Sequence, residues 1–159
     1  MKTKEIITKV QIYKIEECDN EKKMLIEQAQ DASSRAYAPY SNYHVGAAIL
    51  LDTGEVITGN NQENAAYPSG LCAERTAFFY ANSKYPEMKV KVIAVVAFHD
   101  GEFSKEVCTP CGSCRQVMSE MEDKNGGPIK ILLCSKDIVY ELSSVKDLLP
   151  LSFGSESMG

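Results

Sequence analysis

The sequence predicts one α/β domain, a sheet with helices layered on it. Two observations support this prediction. Short apolar runs that suit buried strands occur between longer stretches whose apolar residues recur at helical spacing. At 159 residues the chain fits a single domain, and no repeat, linker or low-complexity segment divides it. A chain of this length can bury a sizeable core, so its stability need not depend on a metal or on disulfides.

The chain opens with a predicted strand and a predicted helix. Residues 4–15 alternate as a strand does, and the residues on one side are Ile6, Thr8, Val10 and Ile12. Asp19 or Asn20 can cap a helix that runs to about Ala36. The apolar stripe of that helix consists of Leu25, Ile26, Ala29, Ala32 and Ala36. We expect the first strand to add an edge strand or a subunit contact.

A hairpin and an amide-rich loop come next. His44 to Leu51 and Glu55 to Asn60 are the predicted strands, and Asp52-Thr53-Gly54 forms the turn between them. The loop over residues 60–70 is long and rich in amide side chains. Binding groups often gather on loops that a rigid scaffold positions.

The second half alternates helices with buried strands. The nearly continuous apolar run from Val90 to Phe98 suits a central strand that is covered on both faces. The remaining predicted elements are helices over Cys72–Ser83 and Cys111–Asp123, strands over Ile129–Cys134 and Ile138–Leu142, and a helical turn over Val145–Leu149.

Composition narrows the functional classes. A net charge of −5 argues against a nucleic-acid binder, which usually carries a basic face. No run approaches the roughly 20 apolar residues that span a membrane, and no secretory segment follows Met1, so we expect a cytoplasmic protein. In a reducing compartment, clustered cysteines are more often metal ligands than disulfide partners.

Three cysteines and one glutamate predict a metal site with a catalytic carboxylate. Cys111 and Cys114 are three residues apart at the start of a predicted helix, and Cys72 starts another. Catalytic zinc typically has three protein ligands and leaves a fourth position to water. Glu74 follows Cys72 by two residues, so both side chains can reach a metal that lies ahead of the helix. A carboxylate next to an activated water is the pairing that metal-assisted hydrolysis needs.

The same cysteines have a second interpretation. Cys108 lies three residues before Cys111 and could complete a four-thiol structural site. Taken alone, that spacing favours neither interpretation; Glu74 and the loop with Asn61 and Glu63 favour the catalytic one. Glu74 also suits the helix dipole as a first-turn acid, which does not exclude catalysis.

The chain resembles a known enzyme family over nearly its whole length. A Cys-x-Glu motif followed by Pro-Cys-x-x-Cys is the signature of zinc-dependent nucleobase deaminases. Four blocks closely resemble cytidine deaminase of the homotetrameric type: AYAPYSNYHVGAA (36–48), NNQENAAYPSGLCAERTA (60–77), PCGSCRQV (110–117) and LLPLSFG (148–154). The resemblance implies an N-terminal extension over residues 1–18 and a single deaminase-like domain over 19–159. It also implies a three-layer α-β-α fold with a mixed central sheet of about five strands.

The resemblance assigns roles at the metal. It implies one Zn²⁺ per chain, held by Cys72, Cys111 and Cys114. Glu74 is implied to shuttle protons, and Arg75 to hydrogen-bond the zinc thiolates. Three thiolates give the zinc a net charge of about −1, so a guanidinium and two helix N-termini would restore its strength as a Lewis acid.

The resemblance also assigns the nucleoside contacts. It implies that Asn61 and Glu63 hold the ribose hydroxyls and that the backbone of Ala73 reads the base. Tyr43 stands where the family usually has Phe, an aromatic that packs near the nucleoside. Phe153 is implied to reach the site of a neighbouring subunit in a homotetramer. Neither His44 nor His99 has ligand-like spacing to the cysteines, and both are left out of the site.

The implied reaction is the hydrolytic deamination of cytidine and 2′-deoxycytidine in pyrimidine salvage. Three alternatives remain at this stage: a deaminase of a cytosine-bearing antibiotic such as blasticidin S, a polynucleotide cytosine deaminase, and a zinc-stabilised interaction module without catalysis. The acidic composition disfavours the polynucleotide enzyme, which needs basic and aromatic residues along a strand. We therefore expect a small nucleoside as the substrate and neither a nucleic-acid nor a membrane partner.

Overall fold

The computed structural model describes residues 1–159. Seven strands and three α-helices alternate along the chain. Their bounds are β1 Gln11–Lys14, α1 Asn20–Ser33, β2 His44–Leu51, β3 Val56–Asn60, α2 Ala73–Lys84, β4 Val90–His99, β5 Glu102–Phe103, α3 Gly112–Asn125, β6 Lys130–Cys134 and β7 Ile138–Leu142. None of the helices is long and apolar enough to cross a membrane.

The strands form one mixed sheet in the order β1-β7-β6-β4-β2-β3, with β5 paired to the end of β4. Only β4 and β6 run parallel, and every other pair is antiparallel. Six consecutive residues of β4, Val92 to Ala97, are buried, so the strand is covered on both faces as its apolar run predicts.

The helices cover both faces of the sheet and give the predicted three-layer α-β-α fold. Helix α1 packs on one face through Leu25, Ile26 and Ala29. Helices α2 and α3 pack on the other face, and their buried residues include Ala73, Ala77, Phe78, Ala81, Met118 and Met121. The fold class is confirmed, and the two helices of the second face bring their N-termini to the same end of the sheet.

The strand count was predicted too low, because the sheet has seven strands and the prediction was about five. Strand β5 is only two residues long, too short to leave an alternating pattern. Strand β1 occupies four residues of the segment predicted as a strand over residues 4–15. It pairs with β7 from Gln11↔Glu141 to Lys14↔Ile138, which makes it an edge strand.

Two glycines allow close approach between the layers. A Cβ on Gly46 of β2 would lie 1.9 Å from the Ala29 carbonyl oxygen of α1. A Cβ on Gly59 of β3 would lie 2.5 Å from the Ala77 nitrogen and 2.6 Å from the Ala73 oxygen of α2. Both neighbours are backbone atoms that cannot rotate away, so these glycines set how closely α1 and α2 pack on the sheet.

Glu141 of β7 links four elements through one buried carboxylate. It is 8% exposed and accepts a hydrogen bond from the Tyr13 hydroxyl of β1. Lys22 Nζ of α1 lies 2.7 Å from Oε2, and Lys130 Nζ of β6 lies 3.1 Å from Oε1. Burial alone would raise the pKa of Glu141, but hydrogen bonds from Lys22, Tyr13 and Lys130 outweigh it and lower the pKa to about 2.

We expect this network to make the free energy of unfolding depend on pH in the acid range. The pKa of Glu141 is lower in the folded than in the unfolded chain, so its contribution is complete above about pH 4.5 and is lost as pH falls toward about 2. Glu141→Gln should lower the free energy of unfolding by about 2–3 kcal/mol at pH 7 and by less than about 1 kcal/mol at pH 2.5. Urea titrations at the two pH values measure the difference. Glu120→Gln, on the exposed face of α3, is the matched control, and equal effects of both substitutions would contradict the assignment.

Candidate metal centre and substrate pocket

Three thiols converge where α2 and α3 begin. Cys72 is the N-cap residue of α2 and Cys111 is the N-cap residue of α3, while Cys114 is buried in the first turn of α3. Neither N-cap side chain accepts a capping hydrogen bond from the backbone of its own helix, although N-cap positions favour side chains that do. The structure therefore uses two helix starts to aim sulfur atoms at a common point.

The spacing of the sulfur atoms fits a tetrahedral zinc ion. Cys72 Sγ lies 3.8 Å from Cys111 Sγ, which lies 3.6 Å from Cys114 Sγ. All three sulfurs lie within 4.8 Å of one another. Zinc–sulfur bonds of about 2.3 Å in a tetrahedron separate two sulfurs by about 3.8 Å. The three cysteines therefore suit one Zn²⁺ and leave its fourth position open.

Cys108 does not belong to the thiol cluster. The group of residues able to hold a metal contains Cys72, Cys111 and Cys114 alone. Cys108 lies in the wall of the neighbouring cavity, and burial, with the nearby Glu74 charge, raises the pKa of its thiol to about 12. The arrangement therefore does not form a four-thiol structural site. A cluster of three thiols favours the catalytic interpretation, since catalytic zinc keeps one position for water.

Charge around the thiols favours thiolate at Cys72. A hydrogen bond from Cys114, followed by those from Arg75 and Cys111, lowers the pKa of Cys72 to about 5, although burial opposes the shift. Arg75 Nη2 lies 3.8 Å from Cys72 Sγ and 3.4 Å from the Gly70 carbonyl oxygen. The Arg75 Nε–H is buried and has no partner within the chain. A cation with a spare donor therefore lies beside Cys72, the thiol whose thiolate form is favoured.

Glu74 places a carboxyl group in the same region. Its residue is 3% exposed, in the first turn of α2. Burial raises the pKa of this carboxyl, and the charge of Cys72 acts in the same direction, while a backbone hydrogen bond opposes both. A raised pKa favours the protonated form of this carboxyl, which suits a group that must both accept and return a proton.

A cavity of about 690 Å³ opens beside Glu74 and the thiols. This volume lies within the range of small-molecule sites in proteins. Its lining includes seven of the residues predicted from the sequence: Tyr43, Asn61, Glu63, Cys72, Glu74, Arg75 and Cys111. The structure therefore joins the metal end to the predicted ribose end in one cavity.

Asn61 and Glu63 are held in place by their own loop contacts. Asn61 Oδ1 accepts from the Val45 N–H at 2.8 Å, and Asn61 Nδ2 donates to the Tyr43 carbonyl at 2.9 Å. Glu63 accepts hydrogen bonds from the Tyr40 N–H at 2.8 Å, the Ser41 N–H at 3.2 Å and the Ser41 hydroxyl. Each side chain keeps hydrogen-bonding capacity, since an amide has two donors and two lone pairs and a carboxylate has about four lone pairs.

Three predicted residues lie outside the cavity lining: Cys114, which belongs to the thiol cluster, Ala73 and Phe153. Ala73 is fully buried at the first position of α2, where a backbone N–H has no partner within the helix. Phe153 is 61% exposed, and its carbonyl accepts a hydrogen bond from Gln116 Nε2 at 2.9 Å. Within one chain, the Phe153 side chain contributes nothing to the cavity that holds Glu74.

The structure agrees with a family that is defined by its zinc site. Residues 19–126 match the family model described as the cytidine and deoxycytidylate deaminase zinc-binding region. The chain belongs to this deaminase family. Residues 1–18 precede the matched region, and the tail with Phe153 follows it.

Individual deaminases match most of the chain. Cytidine deaminase from Halalkalibacterium halodurans is 41% identical over 138 residues, which are 87% of this chain and 98% of that protein. The cytidine deaminase of Sporosarcina psychrophila is 42% identical over 84% of this chain and 92% of its own length. The crystal structure of cytidine deaminase from Burkholderia pseudomallei superposes with a TM-score of 0.68 at 40% identity, over 82% of this chain and 98% of its own.

Sequence reasoning missed several residues of this deaminase pocket. Ser41 supports Glu63, and Cys108 and Thr109 line the cavity wall. The only signal for Ser41 was its place in the block over residues 36–48 that resembles the family, since Glu63 lies 22 residues further along the chain. Cys108 was considered only as a metal ligand, and its place in the wall follows from the path of the chain after β5.

Proposed function

We propose that this family member is a zinc-dependent hydrolase that converts cytidine and 2′-deoxycytidine to uridine and 2′-deoxyuridine with release of ammonia. One observation carries the proposal: a buried carboxyl, Glu74, shares a nucleoside-sized cavity with a three-thiol cluster that fits zinc. Cys72, Cys111 and Cys114 hold the ion. Bound zinc supplies Lewis-acid activation of a water molecule.

Glu74 moves both protons of the reaction. It takes a proton from the attacking water and gives it to N3 of the cytosine ring as the water oxygen bonds to C4. It then takes the second proton of that oxygen and gives it to the amino group, so that the C4–N bond breaks and ammonia leaves. The buried position of Glu74 excludes bulk water from this exchange.

The rest of the cavity positions the nucleoside. Asn61 and Glu63 line the same cavity and keep free hydrogen-bonding capacity, which suits ribose hydroxyls. The Ala73 backbone lies at the start of α2 and presents an amide to the base. Tyr43 supplies an aromatic wall, and Arg75 moderates the negative charge of the thiolates.

Ammonia release with matched substrates tests this proposal. Zinc-loaded protein is incubated with cytidine, 2′-deoxycytidine, blasticidin S and cytosine-containing single-stranded DNA. We expect turnover of the two free nucleosides and none of the polymer. Turnover of blasticidin S or DNA alone would overturn the substrate assignment while leaving the deaminase chemistry intact, and turnover of none would overturn the proposed function.

We also propose a homotetramer with shared active sites. Phe153 is an exposed aromatic whose backbone is fixed to α3 by Gln116, which is how a residue that serves a neighbouring chain would be presented. Further large apolar residues are exposed and would be covered in an assembly: Tyr67, Phe79, Tyr80 and Leu151. We place the enzyme in the cytoplasm, since all six cysteines are unpaired, as in a reducing compartment. Its role there would be pyrimidine salvage, which the proposed substrates imply.

Mixed oligomers test whether Phe153 acts on a neighbouring chain. Phe153→Ala removes the aromatic but keeps Glu74, whereas Glu74→Gln keeps the aromatic but not the carboxylate. When the two variants are coexpressed one to one, about a quarter of all sites should combine an intact Glu74 with an intact Phe153 from the neighbouring chain. The deaminase activity of the mixture should therefore exceed that of either variant alone. As a control, Met158→Ala, which changes another exposed tail residue, replaces Phe153→Ala in the same coexpression with Glu74→Gln. A mixture with only half the activity of Phe153→Ala would contradict sharing.

A further inference from the structure

Tyr43 lines the cavity together with the thiols and the predicted ribose residues, and its ring stacks on a histidine. The ring centroids of Tyr43 and His99 are 5.3 Å apart and the planes are inclined by 26°. This is an offset stack of the kind that aromatic side chains favour. His99 is the last residue of β4 and comes from outside the blocks that carry the family resemblance.

The backbone of Tyr43 is already fixed on both sides. Its carbonyl accepts from Asn61 Nδ2 at 2.9 Å, and its N–H donates to Ser41 Oγ at 3.0 Å. Ser41 in turn donates to Glu63. The predicted ribose residues therefore determine where the Tyr43 backbone lies, and only the side-chain torsions remain to be restrained.

The hydroxyl end of Tyr43 faces the wall of the cavity. Burial raises the pKa of the phenol to about 12, and the adjacent Cys108 acts in the same direction. Ser104 lies beside the same hydroxyl and is buried. The hydroxyl of Tyr43 therefore lies among buried side chains.

His99 restrains the remaining face. Tyr43 is still 36% exposed with His99 stacked on it, so the imidazole covers part of a ring that solvent also contacts. His99 is itself held, because its Nδ1 lies 3.1 Å from Asp100 Oδ2 and its backbone pairs with Glu102 of β5. Although strand β5 has only two residues, it pairs with the end of β4 and so fixes the backbone that carries the imidazole.

We infer that His99 is a positioning residue that holds the Tyr43 ring in the orientation which binds the substrate. The inference rests on the proposed function, since it needs Tyr43 to contact the nucleoside. A ring that is fixed before binding loses less side-chain entropy when the ligand packs against it. His99 should therefore act on substrate binding and leave the chemical step at Glu74 unchanged.

Steady-state kinetics on cytidine test the inference. His99→Ala should raise KM about three- to tenfold, the equivalent of one aromatic stack, while kcat changes by less than about twofold. His99→Phe keeps a ring for the stack and should restore KM to within about twofold of the wild type. Glu106→Ala, an exposed change in the segment that follows β5, is the matched control. Zinc content per chain should be equal in all four proteins.

A Tyr43→Ala background separates positioning from a general structural role. There the stack is already lost, so adding His99→Ala should raise KM no further. An unchanged KM in His99→Ala, an equal rise in the Tyr43→Ala background, or a His99→Phe variant as impaired as His99→Ala would each overturn the positioning role. These outcomes need a wild type that deaminates cytidine, and a wild type without turnover would overturn the proposed function as well.

Discussion

Glu74→Gln is expected to lower kcat for cytidine by about 10²–10⁴-fold or more while one zinc ion per chain remains bound. The amide keeps the size of the side chain at a site that is 3% exposed, so packing changes little. It cannot accept a proton from water, and both proton transfers of the proposed mechanism pass through this group. Glu74 lies outside the thiol cluster, so the metal ligands are unaffected.

Three measurements on the same preparation make this result decisive. Ammonia release gives kcat, elemental analysis gives zinc per chain, and thermal unfolding gives stability. Glu120→Gln, an exposed acid on α3, controls for the loss of one negative charge. Undiminished turnover in Glu74→Gln would exclude the proton shuttle, and a loss of zinc together with activity would mean that Glu74 supports the metal site instead.

The fold was predictable wherever the pattern of apolar residues within a segment reflects how that segment is buried. The apolar run of β4 and the hairpin of β2 and β3 have this property, and their observed bounds lie within one residue of the predicted ones. Residues 4–15 show the limit of such patterns. Alternation indicates that one face could be buried, but β7 is five residues long and offers a partner only to Gln11–Lys14. Ile6 and Ile7, 47% and 73% exposed, therefore lie outside any strand.

The site divides in the same way. Cysteine spacing and the adjacent Glu74 indicated a metal centre because both helices begin at their own ligands. The contact of Tyr43 with His99 was not predictable, since it depends on β2 and β4 being neighbours with His44 opposite Phe98. No local pattern near His99 records that pairing, and a lone histidine at a strand end has no recognisable spacing to a ligand.

The second large effect concerns the metal, and it distinguishes a catalytic zinc from a structural one. Cys111→Ser should reduce bound zinc to near zero and lower turnover of cytidine by at least about 100-fold, since changes that merely support a ligand already cost about 10–100-fold. Serine is a poor zinc ligand and nearly the same size as cysteine. Cys111 is exposed, so the exchange disturbs no core packing.

The same substitution should leave the fold stable. Cys111 is the N-cap residue of α3 and its side chain makes no capping hydrogen bond to the helix backbone, whereas serine is among the favoured N-cap residues. Against wild-type protein stripped of zinc with a chelator, Cys111→Ser should therefore unfold at equal or higher denaturant concentration, with a gain of up to about 1 kcal/mol. The chelated reference is needed because bound zinc stabilises only the protein that can hold it.

If the ion were structural, both proteins would instead lose their cooperative unfolding transition, because a domain that depends on its metal unfolds without it. The two buried cores on either side of the sheet favour the first outcome, since neither of them needs the metal to exclude water.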